Sequence, residues 1–158
     1  LAGLPPGSIF PVKGEALALA RASASPSRVI RTRSAYLCPK ADGRLIVGAS
    51  EIAGDASINT DAARVERLKK GAVRAVPALA AGVEIERWAG LRPATADALP
   101  VIGPAPDGPK GLHYALGHYR NGVLLAPATA DAIHRLIARG QAPPPAFSPA
   151  RFHHSVTS

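Results

Sequence analysis

The stretch Arg28-Val29-Ile30-Arg31-Thr32-Arg33-Ser34-Ala35-Tyr36-Leu37-Cys38, followed by Lys40-Ala41-Asp42-Gly43 and then Arg44-Leu45-Ile46-Val47-Gly48-Ala49-Ser50, decides how the fold is read. Its two arms are rich in β-branched, apolar and aromatic residues, and the residues between them end in a glycine free to take a positive φ. The pattern predicts a β-hairpin of residues 28–38 and 44–50. Upstream, the period-two run from Glu15 to Ala22 reads as a neighbouring strand, weakened by its alanines. Downstream, Thr60 suits an N-cap, and Val65, Leu68, Ala72 and Val76 recur at helical spacing with Arg64, Lys69, Lys70 and Arg74 on other faces. This predicts a helix over 61–75, ended near Pro77 because a proline inside a helix removes a hydrogen bond and clashes with the preceding turn. Val83 to Trp88 alternates as a half-buried strand, and Leu99–Gly103 and Leu112–Leu116 are shorter strands. A second helix is expected after Leu125, with Pro127 at its first position, Gly140 just past its end, and Ile133, Leu136 and Ile137 as its apolar stripe. The fold class is therefore α+β: an antiparallel or mixed sheet with packing helices.

The chain has 158 residues, of which 47% are hydrophobic and 19% charged, so it is no disordered segment and can bury a core. Cys38 is the single cysteine, which excludes an intrachain disulfide and a multi-cysteine zinc site. No metal is expected, and a reducing, cytoplasmic setting is the default. No apolar run reaches the ~18 residues of a membrane span, so no membrane partner is expected. The net charge of +8 would attract anions, but the arginines are scattered and Lys69-Lys70 is the one adjacent basic pair. With aromatics at 4% there is no convincing platform for base stacking, and no nucleic-acid partner is expected. A chain without methionine, opening at Leu1 in a loop-like Gly3-Leu4-Pro5-Pro6-Gly7, suggests an excised piece.

Three clusters carry candidate chemistry: Ser34-Ala35-Tyr36, Trp88-Ala89-Gly90-Leu91-Arg92-Pro93, and Gly117-His118-Tyr119-Arg120-Asn121-Gly122. Two of them place an arginine in or beside a glycine-bearing loop after a strand. Glycine lets backbone N–H groups approach a flat or anionic ligand, and arginine is suited to bidentate carboxylate recognition. The residues suggest a site for a small carboxylate; surface turns that happen to contain arginine read equally well.

Read together, Pro11-Val12-Lys13-Gly14-Glu15, the Tyr36 to Ala49 hairpin, Trp88 to Thr95 with Pro100-Val101-Ile102-Gly103, and Gly117 to Thr129 resemble the C-terminal part of the D-amino-acid-oxidase-like family of FAD-dependent amine oxidoreductases. Within it the likeness is nearest to the glycine oxidases of thiamine biosynthesis. The resemblance implies a partial substrate-binding domain at 1–94, a return segment at 95–140 completing an FAD-binding domain, and a tail at 141–158. The N-terminal dinucleotide-binding βαβ unit, with its GxGxxG turn, has no counterpart in the chain, so the resemblance implies an FAD-dependent enzyme whose ADP-binding half is missing here and a fragment inactive alone.

The same resemblance makes Arg92 the main clamp of the substrate carboxylate, Arg120 a second cation and Tyr36 a hydroxyl donor. It makes His118, Tyr119, Arg120, Asn121, Gly122, Val123 and Leu124 the cofactor-binding segment. The implied chemistry is hydride transfer from a small amino acid to flavin N5 with dioxygen as acceptor, which needs orientation and electrostatics but no catalytic base. Motifs do not choose among glycine, sarcosine and D-amino acids. Glu15 stands where the family commonly has glutamine, and Ser34 where close relatives carry histidine. Glu51 points either to the substrate amine or to solvent, the surface being preferred. Cys38 reads as a small core residue, and His153-His154 as part of a tail. Expected partners are the substrate, the missing half and, in the intact protein, further copies of itself. In their absence an apolar surface is expected around Val101, Ile102, Ile133, Leu136 and Ile137. Two alternatives from other classes stand beside this reading: a non-catalytic anion-binding module using Arg92 and Arg120, and a basic RNA-associated protein.

Overall fold

The computed structural model describes residues 1, 3–20 and 25–152. Ala22, the expected end of the first strand, and His153-His154 lie outside the described residues. The chain divides into two compact units, Val12–Leu91 and Leu1–Pro11 together with the chain from Arg92. The mixture of helices and antiparallel strands agrees with the expected α+β class.

In the Val12–Leu91 unit the sheet order is β2 (Ile30–Arg31), β3 (Tyr36–Pro39), β4 (Leu45–Gly48), β1 (Phe10–Leu19) and β5 (Ile52–Ala53), with β6 (Glu84–Ala94) also paired to β1. The predicted hairpin is present as β3 and β4, with Tyr36 opposite Gly48 and Leu37 opposite Val47. Its first arm is not one strand, however. The Thr32 hydroxyl accepts the N–H groups of Ser34 and Ala35 at 3.2 and 3.0 Å, turning the chain so that Ile30 pairs back on Leu37. The β1 strand starts at Phe10, ahead of the predicted Glu15, because Lys13 and Glu15 are buried in it beside the apolar residues.

Strand alternation then sorts the side chains. Leu17 and Leu19 of β1, Leu37 of β3, and Leu45 and Val47 of β4 share one face. They form a core with Val65, Leu68 and Ala72 of helix α1 (Ala62–Ala75) and with Leu79. Burying each leucine or valine side chain contributes about 1.5–3 kcal/mol. The helix lies within a residue of its predicted span, but its N-cap is Asp61 and not Thr60. Asp61 has the extended backbone a cap requires, and its carboxylate accepts the Arg64 N–H at 2.8 Å.

Helix α1 approaches the turn ahead of β3 closely at Gly71, where an added Cβ would lie 2.6 Å from the Ser34 carbonyl oxygen. Gly71→Ala therefore has to push backbone from backbone. Overpacking of this kind costs about 1–3 kcal/mol, more than the few tenths to 1 kcal/mol that alanine gains over glycine in a helix. The expected result in chemical denaturation is a lower midpoint; a raised midpoint would show that α1 moves freely off the Ser34 turn.

In the other unit, β7 (Val101–Pro104) and β8 (His113–Leu116) pair antiparallel, Val101 opposite Leu116. Val101, Tyr114 and Leu4 form the centre of a second core, with Ile9, Leu112, Leu116 and Phe152 packed on it. This corrects the expected apolar surface: Val101 and Ile102 are 0% and 5% exposed. Leu4, Ile9 and Phe152, far away in sequence, are among the side chains that close this core. The other half of the expected surface, on helix α2 (Gly122–Arg139), is partly present: Ile137 is exposed, while Ile133 and Leu136 are half-buried.

Helix α2 also begins earlier than predicted. Leu125 N–H already donates to the Asn121 carbonyl at 2.8 Å, which leaves Pro127 inside the helix at the loss of one backbone bond. Its end is as predicted: Gly140 is left-handed, at φ 64°, and its N–H and that of Gln141 return to Leu136 and Arg135. Among the described residues no helix is long and apolar enough to cross a membrane.

The chain after α2 is fastened by Arg151, whose Nε and Nη2 donate to the two carboxylate oxygens of Asp97 at 2.7 and 3.2 Å and whose Nη2 also reaches the Leu99 carbonyl. The guanidinium holds the Asp97 carboxyl at a pKa of about 2, below the usual aspartate value. A carboxyl depressed in the folded state stabilises above its unfolded pKa and loses that contribution as pH falls through the folded one. The difference in melting temperature between the native chain and Asp97→Asn should thus be constant above about pH 5 and shrink between pH 4 and 2. A difference independent of pH would remove this ion pair from the stability of the unit.

Candidate functional site

Tyr36 stands on the sheet face opposite the α1 core. Its directly facing residue, Gly48, has no side chain, and Ala16 and Ala18 of β1 lie on the same face, so the ring borders a shallow surface. The Arg31 guanidinium lies 5.4 Å from the ring centroid. Hydrogen bonding with Cys38, together with burial, pushes the phenol pKa up, so at neutral pH the hydroxyl keeps its proton and is available as a donor. Cys38, expected in the core, is half-buried on this same face; the β3 residue that enters the core is Leu37.

Arg92 lies in the other unit. The segment from Trp88 to Pro93, read from its glycine and proline as a loop, is a continuation of β6, so the half-buried Arg92 is held by a strand. Strand placement limits backbone movement and suits a residue that must orient a ligand. The next residue, Pro93, accepts the Tyr119 N–H at 2.9 Å. That bond joins the Arg92 strand to the second arginine cluster.

The cluster is a turn with special backbone requirements. Gly117 has φ 77°, and an added Cβ would come within 2.9 Å of Thr95 Cγ2. Tyr119 takes φ 51°, a left-handed value uncommon outside glycine, and the exposed Arg120 guanidinium lies 5.6 Å from its ring. Asn121 N–H closes the turn on the His118 carbonyl at 2.9 Å. His118 Nε2 lies 2.9 Å from the Thr129 hydroxyl of α2. Burial lowers the His118 pKa, which favours a neutral ring fixing the loop over a charged one.

The turn ends at the N-terminus of α2. Asn121 provides no side-chain cap, and the first turn has no acidic residue. The N–H groups of Gly122, Val123 and Leu124 and the positive end of the helix dipole thus remain available to an electron-rich group. Val123 and Leu124 are 93% and 78% exposed. Backbone donors, an adjacent arginine and bare apolar side chains at one helix end fit the edge of a planar, polar-rimmed ring system. Among the predicted site residues the structure therefore brings the Arg92 strand and the 118–124 turn together, while Tyr36 belongs to the Val12–Leu91 unit.

Two features escaped the sequence. Lys13 and Glu15 form a buried ion pair at 3.4 Å on β1, which no local pattern announces. The second is a basic hollow lined by Arg64, Arg67, Lys70 and Arg74 of α1 with Ser34 and Ser50; the three- and four-residue spacing of those cations was the available signal.

A protein-family model described as FAD dependent oxidoreductase matches residues 1–136. Glycine oxidase of Bacillus subtilis (strain 168) is 40% identical over 131 residues, covering 82% of this chain and 35% of that protein. The bifunctional protein ThiO/ThiG of Synechocystis is 40% identical over 154 residues, covering 93% of this chain and 23% of that protein. The crystal structure of glycine oxidase from Geobacillus kaustophilus superposes with a TM-score of 0.84 at 33% identity, over 94% of this chain and 40% of that one. The chain thus spans between about a quarter and two fifths of the length of these relatives.

Proposed function

This chain belongs to the FAD dependent oxidoreductase family, and on that premise we propose that it forms the substrate-binding and C-terminal part of an oxidase of glycine or a similar small amino acid. The observation that carries the reading is the Tyr119-to-Pro93 bond, which couples an arginine strand to an uncapped helix N-terminus in a chain with glycine oxidases among its relatives. Residues 1–94 would contribute the substrate side, 95–140 the segment that completes an FAD-binding domain, and 141–158 a tail. We further propose, from the family resemblance, a place in thiamine biosynthesis, in the cytoplasm and as a homo-oligomer when intact.

The residues present fit a flavin. Val123 and Leu124 offer exposed apolar contact, and the backbone donors of the first α2 turn, with Arg120, suit an electron-rich ring edge. The segment His118 to Leu124 would hold that edge, and bound FAD would supply the two-electron oxidation of the amine with dioxygen as acceptor. Arg92 would fix the substrate carboxylate by paired charge-assisted hydrogen bonds, with Arg120 adding positive field and Tyr36 a directional neutral donor. His118, kept neutral, would hold the turn and move no proton. Next to Tyr36, Gly48 and Ala16 leave little side-chain bulk, in keeping with a small amino acid.

The test is the absorption spectrum of the intact gene product. Flavin bands co-purifying with the protein, or appearing on reconstitution with FAD, are expected. A colourless protein that takes up no FAD would overturn the reading and favour a plain anion-binding module.

A further inference from the structure

Arg64, Arg67, Lys70 and Arg74 recur every three or four residues of α1 and so share one flank of the helix, beside its buried line of Val65, Leu68 and Ala72. Facing them are Ser34 ahead of β3, and Ser50 and Glu51 past β4. Together these groups border a hollow of about 460 Å³. None of the four cations belongs to an ion pair among the described residues. Glu51 is the one carboxylate in the lining, so the hollow is strongly positive.

Its walls are built. Ser50 N–H donates to the Glu15 carbonyl at 3.1 Å and Ser50 Oγ accepts the Glu15 N–H at 2.8 Å, which fixes one side. The fully buried Glu15 carboxylate accepts the N–H of Asp61, the cap of α1, and so anchors the other. The close approach at Gly71 sets the Ser34 wall against the helix.

Four cations held along one flank repel one another, and a multiply charged oxyanion between them removes that repulsion. Arginine forks match phosphate oxygens in pairs, and the exposed Ser34 hydroxyl can donate as well. A zwitterionic amino acid carries a single carboxylate and a cation that the lining would repel. The volume lies within the ~300–1,000 Å³ of small-molecule pockets. We propose that this hollow binds a phosphate-bearing small molecule, a phosphomonoester or a diphosphate, at a site that does not rest on the oxidase reading.

The test is calorimetric titration of the intact protein with inorganic pyrophosphate and with inorganic phosphate, at low and at physiological salt. Saturable binding that weakens as salt rises is expected. Arg67→Glu and Lys70→Glu should each weaken it by roughly tenfold or more, as loss of a charge-assisted contact implies. Both side chains are exposed, so the melting temperature should stay unchanged, and Arg139→Glu on α2 should leave binding as it was. Four results would overturn the proposal: no saturable binding of either anion, equal weakening by Arg139→Glu, succinate binding as tightly as pyrophosphate, or single-stranded RNA retained in preference to pyrophosphate. The flavin spectrum does not depend on any of them, so failure here and failure of the oxidase reading are separable.

Discussion

Lys13→Met is expected to lower the stability of the chain by about 3–5 kcal/mol, the cost of removing one partner from a buried ion pair. The Lys13 ammonium, 4% exposed, donates to the Ser57 hydroxyl at 2.7 Å and to Asp55 at 3.2 Å, and lies 3.4 Å from Glu15. Glu15 is fully buried: one of its oxygens accepts the Asp61 N–H at 3.3 Å, and the other has no hydrogen-bond partner. Asp55, whose carboxyl the Ser57 hydrogen bonds chiefly hold at a pKa of about 2, stays ionised at neutral pH. Without Lys13, the buried Glu15 carboxylate would lose its ion-pair partner and face the partly exposed Asp55 carboxylate. Replacing Glu15 by Gln in the same chain removes the buried charge, and the Lys13→Met/Glu15→Gln pair should recover more than half of the loss. Guanidinium unfolding of the two single variants and the double variant measures this directly. Strictly additive losses would mean that the two side chains do not act on each other, and the ion pair would then have no place in the account of this fold.

The second large effect concerns the proposed substrate. In the intact enzyme, Arg92→Ala should raise KM for the amino acid by roughly 10–100-fold, since a lost charge-assisted hydrogen bond is worth about 1.5–3 kcal/mol. Arg92 is half-buried on a strand outside both apolar cores, so the variant should fold and retain flavin. Arg92→Lys keeps the charge but loses the fork and should fall between. Tyr36→Phe, which removes a neutral donor only, should cost less than Arg92→Ala. Steady-state kinetics on glycine at saturating oxygen separates these cases. Unchanged kinetics in Arg92→Ala would take the carboxylate away from this residue.

The hairpin was legible because Gly43, at φ 89°, sits in a turn between two runs of alternating residues, and α1 because its apolar spacing and its proline stop agree. Other features depend on partners remote in sequence. Nothing local distinguishes Thr32 as the residue that folds the Arg28–Cys38 arm back on itself. Gly90 and Pro93 punctuate the sequence like a loop, yet β6 runs through both. Pro127 drew the start of α2 too late because a first-turn proline is the commoner arrangement. The exposure of Val101 and Ile102 was misjudged because Leu4 and Phe152, which help to cover that core, come from opposite ends of the chain. At the candidate site, the residues come from resemblance to a family and stand as a proposal. That the 118–124 segment ends at the start of a helix is part of that resemblance; that Arg92 is on a strand is not, since it follows from pairing.

Both strands that lead the chain into and out of the Val12–Leu91 unit, β1 and β6, pair with each other. A segment entered and left by strands of one sheet behaves as a cassette: only two junctions join it to the rest of the chain. The cassette carries its own core, which shares no residue with the one around Val101 and Tyr114. Tyr36 and the basic hollow travel with it; Arg92 and the 118–124 turn stay behind. Mutation can thus reshape one set of the proposed ligand contacts without repacking the core that supports the other.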